Sequence, residues 1–220
     1  MGKVITIDGP AASGKTSVSR ELAKRLGWSW VSTGAFYRGL AFAALESKVN
    51  LENEEELSRL ASRRDIWRVE MNEAQTQVFF QNQDVTHLIA REDVGSAASK
   101  ISHFPKVRSA LLEAQRLCSD QTEGLVAEGR DCGTVVFPTA EVKIYLTASQ
   151  ENRAVRRARE QGADSGEIAS AQRQRDLQDS TRKAAPMKVP DQALVLDSTD
   201  LDFEGVVGEV EKFVRSKLSV

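Results

Sequence analysis

Cysteine and histidine are nearly missing from this 220-residue chain. Cys118 and Cys132 are the only thiols and form no C-x-x-C, while His87 and His103 share no ligand-type spacing. Neither a disulfide framework nor a His/Cys metal site is therefore expected. No apolar run approaches the roughly 20 residues that cross a bilayer. With no signal-peptide pattern either, the expectation is a reduced, cytoplasmic setting. Excess charge is lacking as well: 30 basic and 32 acidic residues leave a formal net charge of -2. No overall field attracts nucleic acid, and no membrane partner is expected. No long apolar stripe is left over for a partner chain, so a monomer is the default. What is present is ordinary for a globular protein: 40% hydrophobic and 28% charged residues, enough to bury a core unaided.

Lys3-Val4-Ile5-Thr6-Ile7-Asp8 reads as a buried strand, followed by a glycine-containing loop and a helix from about Lys15 to Leu26. Val18, Leu22 and Leu26 repeat at i, i+4 and i+8, and Gly27 stands at the C-cap position. Trp28 to Ser32 is a second strand, and Thr33-Gly34 offers an N-cap for a helix to about Glu46. This rhythm opens an α/β fold with a parallel sheet. An acidic helix near Glu54 to Arg63 then breaks it. The alternation of Trp67, Val69 and Met71, with Gln77 to Gln81, predicts a small antiparallel insertion with turns at Asn72-Glu73 and Asn82-Gln83-Asp84. Such an insertion projects from the sheet's carboxyl ends, where α/β ligand sites lie. Parallel structure resumes after a helix beginning at Pro105, with strands at Leu125 to Ala127, Val142 to Leu146 and Ala193 to Leu196. Two arginine-rich helices precede the last strand, and a final amphipathic helix carries Phe203, Val207, Val210, Phe213 and Val214. One folded unit over 1–220 accounts for this pattern.

Gly9-Pro10-Ala11-Ala12-Ser13-Gly14-Lys15-Thr16 matches G-x-x-x-x-G-K-[ST], between a strand and a helix as that motif requires. Its glycines let backbone N–H groups turn toward phosphate oxygens, and the helix N-terminus adds positive potential. Lys15 would reach the β- and γ-phosphates, and Thr16, followed by Ser17, would offer a hydroxyl to Mg²⁺ held mostly through phosphates and water. ATP as co-substrate and Mg²⁺ as cofactor follow. The Asn-Lys-x-Asp that reads guanine is absent, which argues against a GTPase switch. Near-neutral charge argues against a nucleic-acid-driven ATPase.

The arginines ask for anions. Arg153, Arg156 and Arg157 lie at i, i+3 and i+4, with Arg159 nearby, a spacing in which like charges repel unless a polyphosphate lies between them. The alternative is a solvated basic face. Arg175, Asp179 and Arg182 share a face of the next helix, where an ordinary surface ion pair is the simpler account. Arg130 follows a strand at its carboxyl end, where ligands bind, and Arg38 follows the Thr33-Gly34 turn.

Taken together these residues resemble the bacterial cytidylate kinases, within the nucleoside-monophosphate kinases. The match includes Ile7-Asp8-Gly9-Pro10, Thr33-Gly34-Ala35-Phe36-Tyr37-Arg38, Ala97-Ala98-Ser99 and Phe104-Pro105 with Val107-Arg108. Glu128-Gly129-Arg130-Asp131-Cys132-Gly133-Thr134-Val135-Val136-Phe137-Pro138 is the most specific part, followed by Arg175, Asp179, Arg182 and Ala185-Pro186. Glu128 stands where Asp is more common and Thr33 where Ser is often found. The resemblance implies an adenylate-kinase-like P-loop fold with an NMP-binding insertion at about 36–105 and a lid at about 150–170. It implies transfer from MgATP to CMP or dCMP. Ser99, Arg108 and Asp131 would read cytosine, Arg175 and Asp179 would hold the ribose, and Arg38, Arg130 and Arg182 would grip the acceptor phosphate, with Thr33, Tyr37 and Gly129 alongside. Lys15, Arg130, Arg153, Arg157 and Arg182 would be the catalytic set. A P-loop kinase acting on UMP or on a sugar acid is the rival within the class.

Overall fold

Apolar runs too continuous to alternate in and out mark strands buried on both faces, as in residues 4–8 and Gly124–Gly129, and with three further strands these form a parallel sheet of five. In the computed structural model these are β1 (Lys3–Asp8), β2 (Ser29–Ser32), β6 (Gly124–Gly129), β7 (Val142–Thr147) and β8 (Leu194–Asp197), in the order β2-β6-β1-β7-β8. The structure describes residues 2–72, 75–161 and 165–218, without the side chains of 159–161, 165–168, 171, 172 and 175. Successive residues feed opposite cores. Ile5, Ile7 and Val126 pack with helices α1 (Lys15–Leu26) and α8 (Phe203–Leu218), whereas Val4, Leu125 and Ala127 pack with α2 (Thr33–Glu46) and its neighbours. Those neighbours are α3 (Glu54–Ala61), α4 (Glu92–Ile101) and α5 (Pro105–Arg116).

Helix α1 follows its apolar repeat: Val18 and Leu22 are buried and Leu26 is partly so. It ends at Gly27, whose left-handed φ of 65° lets Trp28 N–H reach back to the Ala23 carbonyl at 2.9 Å. Two local expectations are corrected. Thr33 does not cap α2; it is the helix's first residue, and its hydroxyl instead donates to the Glu128 carbonyl at 2.9 Å. Phe203 does not face the core. It is 45% exposed, and Val206, Val207, Val210 and Val214 form the buried face of α8.

The small sheet comprises β3 (Trp67–Met71), β4 (Thr76–Phe80) and β5 (Gln83–Asp84), all antiparallel. The second turn falls on Gln81-Asn82, both at positive φ, rather than on Asn82-Gln83-Asp84, and this frees Gln83 and Asp84 to pair. Glu73, in the first expected turn, lies outside the described residues. The insertion also does more than project from the carboxyl ends. It runs along the otherwise open edge of β2, where Trp30 N–H donates to the Asn72 carbonyl at 3.1 Å and Ser32 N–H to Thr76 Oγ1 at 2.9 Å. Edge N–H groups that could recruit another strand are thereby satisfied.

The insertion docks on α2 through close packing. Phe42 and Phe80 meet edge to face at 5.7 Å, and a Cβ on Gly39 would stand 2.9 Å from the Trp67 ring. Gly39→Leu should therefore overpack this contact and destabilise the protein by about 1–3 kcal/mol. A urea titration reads this as a lowered midpoint, and an unchanged midpoint would show that the contact yields freely.

Candidate active site

Register decides where the functional residues gather. Asp8 at the end of β1 stands opposite Gly129, the last residue of β6, and opposite Tyr145 on β7, which runs two residues further to Thr147, so the three strands finish close together. Past those ends lies a cleft of about 530 Å³ lined by Lys15 and Thr16 on one side and by Arg130, Asp131, Asp179 and Arg182 on the other. This is the crevice at which the strand order reverses, the place where α/β sheets bind ligands.

The loop between β1 and α1 depends on two glycines. Gly9 has a φ of 148°, and a Cβ there would stand 2.0 Å from the Leu146 carbonyl oxygen; Gly14 has a φ of 90°. Ala11 and Ala12 line the cleft, Ser13 is buried, and Ser17 is exposed just inside the helix. Lys15 Nζ donates to the Pro10 carbonyl at 2.6 Å and lies 3.5 Å from Ser13 Oγ. Burial, and then the nearby Arg130 guanidinium, push its pKa down to about 7. A lysine so placed has its charge disfavoured until an anion arrives.

Thr16 Oγ1 donates to Glu128 Oε1 at 3.3 Å. The sequence had offered Glu128 only as a variant of the family pattern, although Leu125-Val126-Ala127-Glu128 is an apolar strand ending in an acid at the cleft. The pair supplies hard oxygen atoms of the kind that hold Mg²⁺, which binds through one or two carboxylates together with phosphates and retained water. Among the described residues no group of three or more acidic, histidine or cysteine side chains gathers in the manner of an all-protein metal cage.

Asp131 is bracketed by arginines. Arg108 Nη2 donates to its Oδ2, and Arg182 Nη2 lies 3.3 Å from its Oδ1, all three side chains being nearly buried. That Arg182 nitrogen makes no well-directed hydrogen bond, which leaves a buried donor available at the cleft. Arg108 also lies over the Tyr37 ring at 5.4 Å, and burial pushes the Tyr37 hydroxyl up to about 12. Arg130 Nε donates to Asp179 Oδ2 at 2.9 Å, and Arg182 stands 3.7 Å from the same residue's Oδ1. Asp179 thus pairs with the arginine that follows β6 as well as with its near neighbour in sequence. The Arg175 side chain lies outside the described residues, as does that of Arg159.

Ser99 donates to Gln178 Oε1 at 3.4 Å, and Arg38 donates to the Ile89 carbonyl at 2.7 Å; both line the cleft. Gly129 makes room at its floor, because a Cβ would meet Thr33 Oγ1 at 2.3 Å and Cys132 Sγ at 2.7 Å. The arginine-rich helices are α6 (Gln150–Gln161) and α7 (Ser165–Thr181). The expectation that their arginines crowd a single anion is corrected in part. Arg157 lines the cleft, but Arg156 turns away to Ser198, donating to its hydroxyl and its carbonyl. Buried Arg153 donates to the carbonyls of Ala148 and Ala11 and to Asp176 Oδ2, while Asp176 Oδ1 accepts from Ala11 N–H at 3.1 Å. Asp176 was not singled out from sequence. Its partners, Ala11 and Arg153, lie on other elements, and no local spacing announces them.

Comparison with known proteins finds relatives along nearly the whole chain. The sequence model of the family described as cytidylate kinase matches residues 5–216. The cytidylate kinase of Bdellovibrio bacteriovorus is 63% identical over 218 residues, covering 99% of this chain and 100% of that protein. That of Colwellia psychrerythraea is 44% identical over 221 residues, covering 98% and 97%. Among solved structures, an uncharacterized protein from Eubacterium ventriosum aligns with a TM-score of 0.55 at 11% identity, covering 97% and 99% of the two chains. A Thermus thermophilus protein aligns at 0.50 with 21% identity, covering 99% and 98%. At such identities the likeness shows the fold alone.

The state of Lys15 has a measurable consequence. With its pKa near 7 the side chain is mostly neutral at about pH 8, and an adjacent polyphosphate favours the charged form, so binding should take up about one proton. Calorimetry of ATP binding in buffers of different ionisation enthalpy reads this uptake, and Lys15→Met should abolish it. A binding heat independent of buffer would exclude Lys15 as a titrating group.

Proposed function

The chain belongs to the cytidylate kinase family, a family of phosphotransferases, and from that membership we propose that it transfers the γ-phosphoryl group of MgATP to CMP and dCMP, releasing ADP with CDP or dCDP. The observation that carries this reading is one cleft with two differently built ends: a phosphate-binding loop at one, and Asp131 between Arg108 and Arg182 at the other.

Each end has its task. At the donor end the loop's N–H groups and Lys15 take the β- and γ-phosphates, with Arg153 and Arg157 approaching from α6. Thr16, supported by Glu128, fits Mg²⁺, whose charge would offset that building up on the phosphates. At the acceptor end Arg38, Arg130 and Arg182 take the monophosphate, and Arg175 and Asp179 take the sugar. Ser99, Arg108 and Asp131 face the base. A carboxylate accepts from cytosine's exocyclic amine but would oppose the carbonyl that uracil carries there, a repulsive element that favours cytidine nucleotides.

No general base is required. An acceptor phosphate with a second pKa near about 6 is largely ionised at neutral pH. The barrier lies instead in bringing two polyanions into line, and positioned cations lower it by orientation and charge stabilisation.

ADP release measured with MgATP against CMP, dCMP, UMP, AMP, GMP and no acceptor tests the assignment. Turnover should be greatest with CMP and dCMP; turnover that is greatest without any acceptor would reject it. Arg182→Ala should lower acceptor-dependent turnover on the order of a hundredfold or more while ATP still binds. Unchanged turnover in that variant would remove Arg182 from the site.

A further inference from the structure

We propose that Asp8 is a positioning residue for recognition of the acceptor base: its carboxylate fixes the turn that begins at Asp131, although it stands at the root of the donor's phosphate loop. Asp8 is fully buried. Its Oδ1 accepts from Cys132 N–H at 2.8 Å and its Oδ2 from Gly133 N–H at 2.7 Å. These are the first two N–H groups of a wide turn at Cys132–Val136, in which the Asp131 carbonyl accepts from Val135 and Val136 and the Cys132 carbonyl accepts from Phe137. A carboxylate that satisfies the leading N–H groups of a helical turn ordinarily belongs to the turn's own cap residue. Here it comes from another strand.

Asp131 immediately precedes the clamped residues, so its backbone is held on one side by β6 and on the other by Asp8. Nothing else polar on β1 does this work among the described residues. Thr6, the other polar residue of β1 beneath the turn, has a buried hydroxyl with no partner, and a Cβ on Gly133 would stand 2.8 Å from that oxygen. The turn therefore lies directly on the strand with the two Asp8 contacts as its polar anchor.

A purely structural carboxylate is a poor choice for this position. Burial opposes its charge and lifts its pKa to about 6 in spite of both N–H bonds, with the Asp131 charge opposing it further and Lys15 offsetting in part. Two acceptor oxygens aimed at two successive N–H groups are what a fixed turn requires, and an amide or hydroxyl supplies only one in that geometry. Displacement of the turn moves Asp131 relative to Arg108 and Arg182 before it alters the loop from Gly9 onward.

This inference rests on Asp131 reading the base, and the experiment separates the two. The probes are CMP and UMP as acceptors with MgATP, and the variants are Asp8→Asn, Gly133→Ala and Asp131→Ala. Asp8→Asn keeps one acceptor and turns an N–H₂ toward the other N–H, so KM for CMP should rise about tenfold. The preference in kcat/KM for CMP over UMP should fall by a similar factor, while KM for ATP stays within about twofold. Gly133→Ala pushes on the same turn without altering the carboxylate and should give the same pattern; it decides the matter if Asp8→Asn fails to fold. Asp131→Ala sets the scale by removing the preference outright. If Asp131→Ala erases the preference and neither other variant changes it, the positioning role is overturned and the base reading stands. Equal losses toward ATP and CMP in both variants would make Asp8 a support of the fold alone. A preference that survives Asp131→Ala would overturn the base reading itself.

Discussion

Parallel pairing of β1 between β6 and β7 is the constraint from which the site follows. With Asp8 level with Gly129 and Tyr145, the chain leaves β1 and β6 at one height and β7 two residues later, at Thr147. The phosphate loop, the Arg130-Asp131 segment and the approach to α6 consequently open onto the same crevice. A slip of one residue would turn Ile5 and Ile7 out of one core and into the other. The two hydrophobic clusters on either face of the sheet thus fix chemistry as well as stability.

The crevice so formed collects cations, and the charge balance there is worth weighing. Exposed pairs such as Arg63–Asp65 contribute little, because water screens them and side-chain ordering offsets the gain. Buried pairs behave differently. Arg108 and Arg182 around Asp131 have little water to turn to, and removal of one partner from such a group costs about 3–5 kcal/mol. Carboxylates on α7 take places near the loop and near Arg130: Asp176 against Ala11 and Arg153, and Asp179 against Arg130 and Arg182. Helix α7 is therefore tied to both ends of the cleft by its acidic residues.

What could be read from the sequence was what is local. The phosphate loop announces itself within eight residues, and the strands and helices around it follow from short periodicities. Asp131 and Arg182 came from family resemblance, since nothing in their spacing says that they meet. Glu128 and Asp8 act through partners more than a hundred residues away, and Asp176 joins Ala11 to Arg153 on the neighbouring helix; no short window of sequence contains such pairs. Thr33 illustrates the opposite error, in which a correct local signal for a cap lost to a tertiary hydrogen bond with the Glu128 carbonyl. Likewise the helical repeat at Arg153, Arg156 and Arg157 could not reveal that Ser198 would take the middle guanidinium.

The sheet order also bears on how the chain acquires its structure. The small hairpin of β3 and β4 pairs neighbours in sequence, Met71 with Thr76 at its tightest, and closes with little loss of loop entropy. The central sheet is the reverse case: Ser29 on β2 pairs with Leu125 on β6, and Lys3 on β1 with Gly124. Until Gly124–Gly129 has been synthesised, β1 and β2 have no strand between them. Contacts of such long range carry a large closure cost and form slowly. The hairpin, which folds early and lies against β2, is then the element that shields that strand's edge while the chain waits for its centre.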